Sequence, residues 1–136
     1  MMDRLAARAI VVAALARVMA RDFADALPID AYADRLPGWS PRRNYCHDQV
    51  MLWLLLHPAD QAVRGWMPEC QLGHEVHFAA HSLVRTAAGK LIDVAFPTPA
   101  IERYFIAHPT EAGDFFAMVH GEPPMHVIGV PHPDWS

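Results

Sequence analysis

The first 27 residues contain no proline, and their apolar positions recur at helical spacing. Leu5, Val12, Met19 and Phe23 fall on one stripe, filled by Ala9 and Ala16, with Arg4, Arg8, Arg17 and Arg21 flanking it in water. The pattern predicts one amphipathic helix over 3–27, ended by Pro28. A short second helix is expected over 29–36, with Asp30 in its first turn, followed by a loop at 37–41 set by its prolines and glycine. The next run, Cys46 to about His57, is apolar nearly all round and predicts a buried helix whose N-cap is Asn44. Beyond Pro58 the period changes to two. Strands are expected at 63–69, 75–85 and 90–96, with loops at 71–74 and 87–89. A short strand at 104–107, a helix over 110–120 capped by Thr110 and an edge strand at 125–130 complete the chain. Helix-rich sequence followed by strand-rich sequence indicates an α+β fold, with the Cys46 helix packed on a small antiparallel sheet.

The chain has 136 residues, 53% hydrophobic and 19% charged, which suits one domain over 1–136 with one core. A formal net charge of −4 argues against nucleic acid as a partner. Arg4 and Arg8 precede the apolar run 9–16, but Asp3, Arg17 and Arg21 argue against a cleaved signal, and the run is too short and too charged to span a membrane. A cytoplasmic protein is expected. Two cysteines, Cys46 and Cys70, are too few for a disulfide framework, so both are expected as free thiols.

Cys46 stands where a polar loop meets the helix. The unpaired N–H groups and dipole of a first turn favour thiolate, and Arg42, Arg43 and His47 add positive charge nearby. The competing reading is a cysteine that merely packs. Further on, Asp93 interrupts the apolar run 91–96, where an acid is costly unless it has a partner. A three-residue turn at 87–89 sets His81 opposite Ala95 and Leu83 opposite Asp93, making His81 and Asp93 diagonal neighbours on one face. A turn of two or four residues splits them across the sheet. Cys46, His81 and Asp93 are thus candidates for nucleophile, base and orienting acid. A metal reading competes: Cys70, His74, His77 and His81 carry zinc-ligand side chains, and Cys46-His47 could join them. On an extended strand, however, His77 and His81 stand about 13 Å apart, too far for one ion. Trp66 fits either a core or a substrate surface, and Tyr104-Phe105 and Phe115-Phe116 fit a core.

Cys46 opening a helix, Arg64-Gly65-Trp66 in a strand, Ala80-His81-Ser82-Leu83-Val84 and Gly89-Lys90-Leu91-Ile92-Asp93-Val94 together resemble the core of papain-like cysteine enzymes in the broad sense. The transglutaminase-like and NlpC-like branch is nearest, along with small bacterial proteins of the same pattern. The resemblance spans about 44–97, leaving 98–136 as a C-terminal helix and strand. It implies Cys46 as nucleophile, His81 as base and Asp93 as orienting acid, acting on an amide or ester without a cofactor. The backbone N–H of Cys46 is the default oxyanion donor, with Asn44 or Tyr45 as alternatives. Arg43, Asn44, Tyr45, His47 and Trp66 are the candidate substrate-binding residues, for a peptide or small amide. The chain reads His81-Ser82-Leu83 where transglutaminase-like enzymes have His-Ala-Trp, and it lacks the Asp-Cys-Ser-Gly of NlpC peptidases. Hydrolysis and acyl transfer therefore both stay open, as does a non-catalytic binding module on the same fold. A chain this short is expected to have a shallow cleft, which a second copy or a partner protein would complete.

Overall fold

A computed structural model describes residues 3–41 and 45–133. Its helices are α1 (Arg4–Ala20), α2 (Cys46–Leu56) and α3 (Phe115–Val119). Its strands are β1 (Ala31–Tyr32), β2 (Gln61–Leu72), β3 (Glu75–Arg85), β4 (Leu91–Asp93), β5 (Ile106–Ala107) and β6 (Val127–Pro131). The fold is α+β with a mixed sheet ordered β1-β4-β3-β2-β5, and β6 also pairs with β3. The chain forms two compact units, one of residues 1–27, 65–80 and 104–136, the other of 28–64 and 81–103. Strands β2 and β3 each contribute to both.

In the first unit the inward face of α1 is Ala7, Val11, Leu15 and Val18, joined by Met19. The stripe expected from the sequence is therefore rotated, and Leu5 is 70% exposed. Residues 9–16 are apolar almost all round, so side-chain size alone does not choose a face. Arg4 does not stay in water either: its Nη2 donates to the carbonyls of Met118 and Pro123, both at 2.6 Å. Gly121 makes room for this, since a β-carbon there would lie 2.3 Å from Arg4 Nε. The helix stops at Ala20, well before Pro28. Asp22 and Phe23 turn into the left-handed region, and the Phe23 N–H closes back on the Val18 carbonyl at 2.9 Å. Phe23 leaves the helix to stack on Tyr104, ring centroids 4.5 Å apart.

The same core holds Trp66, Phe78, Phe115, Met118 and Ile128. β6 runs antiparallel to β3, with Val76 opposite Val130 and Phe78 opposite Ile128, and β5 runs antiparallel to β2. The helix expected over 110–120 is interrupted. A 3₁₀ turn, Thr110–Ala112, ends at Gly113, whose φ of 78° breaks the helix. Asp114, not Thr110, caps α3 by accepting from the Ala117 N–H at 2.8 Å.

In the second unit the core is Val50, Val84, Ile92 and Val94, surrounded by Trp39, Trp53 and Leu54. Trp39 Nε1 donates to the Val94 carbonyl at 2.6 Å. Trp53 Nε1 donates to Asp60 Oδ2, and Asp60 Oδ1 accepts from the Ala87 N–H, both at 2.9 Å, tying the end of α2 to the β3–β4 turn. The second helix expected over 29–36 is replaced by β1 and a 3₁₀ turn, Ala33–Arg35. β1 runs parallel to β4, Ala31 beside Ile92 and Tyr32 beside Asp93. Asp30 starts this pairing by accepting from the Leu91 N–H at 2.8 Å. Helix α2 begins at Cys46 as expected but is not buried all round: Cys46, Gln49 and Val50 face inward, while Met51, Leu52, Leu55 and Leu56 are exposed.

The hairpin positions the site. Val84 pairs with Ile92 and Arg85 with Leu91, the register of a three-residue turn at 87–89. Gly89 takes a φ of 87°, and Thr86 and Lys90 close the loop on each other. The expected return strand over 90–96 is only three residues long, because Asp93 Oδ1 accepts from the amides of Ala95 and Phe96 and turns the chain away.

The rotation of α1 is open to direct measurement. Leu15→Ala is expected to destabilise the protein by about 2–5 kcal/mol in urea denaturation. Leu5→Ala is expected to stay within about 0.5 kcal/mol. Equal losses at the two positions would contradict the buried face described above.

Candidate active site

Cys46 is the first residue of α2 and nearly buried. Tyr45 occupies the N-cap, and its own side chain makes no hydrogen bond to the first-turn amides. The expected cap Asn44, and Arg42 and Arg43 with it, lie outside the described residues. His47 Nδ1 is 3.7 Å from the Cys46 sulfur. His81, brought in by β3, also favours the thiolate.

His81 Nε2 lies 2.8 Å from Asp93 Oδ2, with His81 2% exposed and Asp93 fully buried. The diagonal placement expected from a three-residue turn is what brings them together. Asp93 is satisfied on both oxygens, one by the imidazole and the other by two backbone amides. The His81 ring stacks on Phe96 at 4.5 Å, and the Arg103 guanidinium carbon lies 5.1 Å from the Phe96 ring centre on this same unit. Packing and hydrogen bonding thus both restrict the ring. With Nε2 on the carboxylate, Nδ1 is the nitrogen not engaged by Asp93.

These neighbours decide the charges. Burial pushes the Cys46 thiol up. Hydrogen bonds from His47 and His81, with the charges of both rings, outweigh it and bring the thiol down to about 6. Burial pushes His81 down. The hydrogen bonds to Asp93 and Cys46, with their charges, raise it to about 9. Between these limits the pair is held as thiolate and imidazolium, and the two limits belong to the pair rather than to either residue alone. Tyr32, beside Asp93 on β1, is raised by burial and then by the Asp93 charge, so its phenol stays neutral there.

A second set of contacts surrounds the same sulfur. His47 Nδ1 is 2.5 Å from Ser82 Oγ, and Arg64 Nη1 donates to that oxygen at 2.8 Å. Ser82 is fully buried, and the charge of the Arg64 guanidinium interacts with Cys46. Arg64 and Ser82 are absent from the residues picked out on the sequence as carrying chemistry. The signal was there, since both stand in the Arg64-Gly65-Trp66 and His81-Ser82 motifs, but strand periodicity gives no reason to join them.

Of the substrate-binding candidates, Tyr45 is exposed beside Cys46 and His47 is half-buried against it. Trp66 is a correction. It is fully buried in the first unit's core, and its Nε1 donates to His108 Nδ1 at 3.2 Å, so it offers no surface to a substrate. Among the described residues no three His, Cys, Asp or Glu side chains are placed to hold a metal ion. Cys70 is exposed, His77 Nε2 lies 3.4 Å from Glu75 Oε1, and His81 is engaged with Asp93.

Two variants separate the roles of Asp93. Asp93→Asn can still accept from the two amides but removes the charge opposite His81. The imidazolium is then less favoured, and the His81 titration followed by NMR is expected to fall well below about 9. Asp93→Ala removes the amide partners as well and is expected to cost about 3–5 kcal/mol in chemical denaturation. The wild-type His81 contribution to stability is complete below its ordinary 6.5 and fades as pH rises through about 9. That of Cys46 is complete above its ordinary 9.0 and fades as pH falls through about 6.

No family model matches this sequence, and no curated protein or solved structure matches it.

Proposed function

We propose that this chain is a cysteine-dependent hydrolase or acyltransferase that acts on an amide or ester through Cys46, His81 and Asp93, on a core of the papain-like, transglutaminase-like kind. The observation that carries this reading is the buried His81–Asp93 pair at 2.8 Å beside a helix-start thiol lowered to about 6. A cysteine that only packs is usually raised by burial, and a histidine that only packs has no need of a fully buried carboxylate.

The chemistry follows from the charges. The Cys46 thiolate attacks the substrate carbonyl, a C–S bond forms, and the carbonyl π pair moves to oxygen. The backbone N–H groups of the first turn of α2 supply donors for that oxyanion; among the described residues the first bond into this helix runs from the Gln49 N–H to the Tyr45 carbonyl. The oxyanion pair then returns, the C–N or C–O bond breaks, and the leaving group takes the proton from His81. A thioester remains. Water, or an amine in an acyltransferase, gives its proton to His81 as it attacks the thioester carbonyl, and the C–S bond breaks to restore the thiolate. Asp93 holds the ring orientation throughout and supports the imidazolium.

A peptide or small amide is the proposed substrate. Nucleic acid is disfavoured by the net charge of −4. No helix among the described residues is long and apolar enough to cross a membrane, and a cytoplasmic bacterial setting remains part of the proposal. A second reading, a non-catalytic binding module on the same fold, draws support from the exposed apolar row Met51, Leu52, Leu55 and Leu56 on α2.

The experiment uses a Cys70→Ser background, so that Cys46 is the one cysteine left. Iodoacetamide is expected to alkylate Cys46 at pH 6.5 far faster than an ordinary thiol, with a rate that rises around pH 6. Hydrolysis of p-nitrophenyl acetate is expected to follow a bell-shaped pH profile with limbs near about 6 and about 9, and to disappear in Cys46→Ala. A Cys46 that reacts only once the protein is unfolded, with no esterase activity, would leave the binding-module reading.

A further inference from the structure

Two imidazoles bear on the Cys46 sulfur, and their surroundings differ in kind. His81 is backed by a carboxylate, Asp93, at 2.8 Å. His47 faces both the sulfur, at 3.7 Å, and the Ser82 hydroxyl, at 2.5 Å, through one nitrogen, Nδ1, and that hydroxyl in turn accepts from the Arg64 guanidinium at 2.8 Å. Each member comes from a different piece of chain: His47 from α2, Ser82 from β3 and Arg64 from β2. A fully buried serine with two strong side-chain neighbours is not an incidental contact.

We propose that Arg64, Ser82 and His47 form a second support for the Cys46 thiolate that works without Asp93. His47 is the group that touches the sulfur, and Ser82 and Arg64 are positioning residues. This rests on Cys46 being the nucleophile. The arrangement has a chemical use. The charge on His81 comes and goes as it passes its proton to the leaving group and takes another from the attacking water. Arg64 keeps its charge at every step, because a guanidinium does not lose its proton under these conditions. The sulfur therefore departs from the thioester into a site that favours the anion by more than the His81 charge alone. A hydroxyl between guanidinium and imidazole fixes the His47 ring while Arg64 acts over a longer distance, as its Coulomb interaction with Cys46 indicates.

The charged and titratable groups that bear on the sulfur are His47 on α2, Arg64 on β2, His81 on β3 and, through His81, Asp93 on β4. The test compares pH–rate curves for iodoacetamide alkylation in the Cys70→Ser background. His47→Gln is expected to slow alkylation at pH 5.5 about tenfold, the equivalent of a one-unit rise in the midpoint. Ser82→Ala is expected to do the same, and the two changes together are expected to do no more than either alone, because both break one chain. His81→Gln is expected to keep a rate at pH 6.5 about tenfold above that of the His47→Gln/His81→Gln double variant. Ser82 is fully buried and its variant could unfold; His47 is half-buried, and its curve decides the matter alone.

A His47→Gln curve that superimposes on the parent would overturn the second support while leaving the triad intact. A parent Cys46 with a midpoint near the ordinary thiol value of about 8.5 would instead remove the nucleophile reading on which both rest.

Discussion

A carboxylate with no exposure to water has to be met on every side, and Asp93 is the point from which the second unit is arranged. One oxygen takes the His81 imidazole, and the other takes the amides of Ala95 and Phe96. The first contact fixes which side of the hairpin carries the ring. The second ends β4 after three residues and bends the chain so that Phe96 stacks on that same ring. Burial would ordinarily make such an acid costly. Here three donors meet the charge, and the imidazolium they help to hold is the partner of the thiolate on α2.

Around this pair the unit is built from interlocking polar ties rather than from a large apolar mass. Its core gathers Val50, Val84, Ile92 and Val94, and the tryptophans around it are held through their ring nitrogens. Asp60 links the end of α2 to the β3–β4 turn, and Asp30 links β1 to β4. The first unit is the contrast. There α1, α3 and four strands share a continuous apolar core that holds Trp66 and Phe78, while its few polar ties, Arg4 and Trp66 among them, serve packing.

What the sequence disclosed follows the same division. The limits of β3, the start of α2 and the register of the hairpin were legible, because alternation over eleven residues, a polar-to-apolar boundary and a Gly89 turn each have a local physical cause. The acid at 93 was legible because it is out of place in an apolar run. Rotation of α1 was not, since a helix apolar on most of its circumference leaves the choice of face to tertiary partners such as the carbonyls that take Arg4. Nor was the break at Gly113, where a capping aspartate and a left-handed glycine outweighed a run that looked helical. The placement of Trp66 was undetermined for the same reason: a large aromatic in a strand is compatible with core or surface until its neighbours are known. Arg64 and Ser82 lie 18 positions apart on different strands, and nothing local announces that they meet.

Loops are ordinarily where chains gain and lose residues at little cost. The three residues between Thr86 and Lys90 do not share that freedom. Strand geometry alternates sides with every step, so adding or deleting one residue there would present His81 with the hydrocarbon of Ile92 or Val94 in place of a carboxylate, with Cys46, His81 and Asp93 all still present in the sequence. In this protein the count of a turn carries as much chemical information as the identity of the groups it brings together.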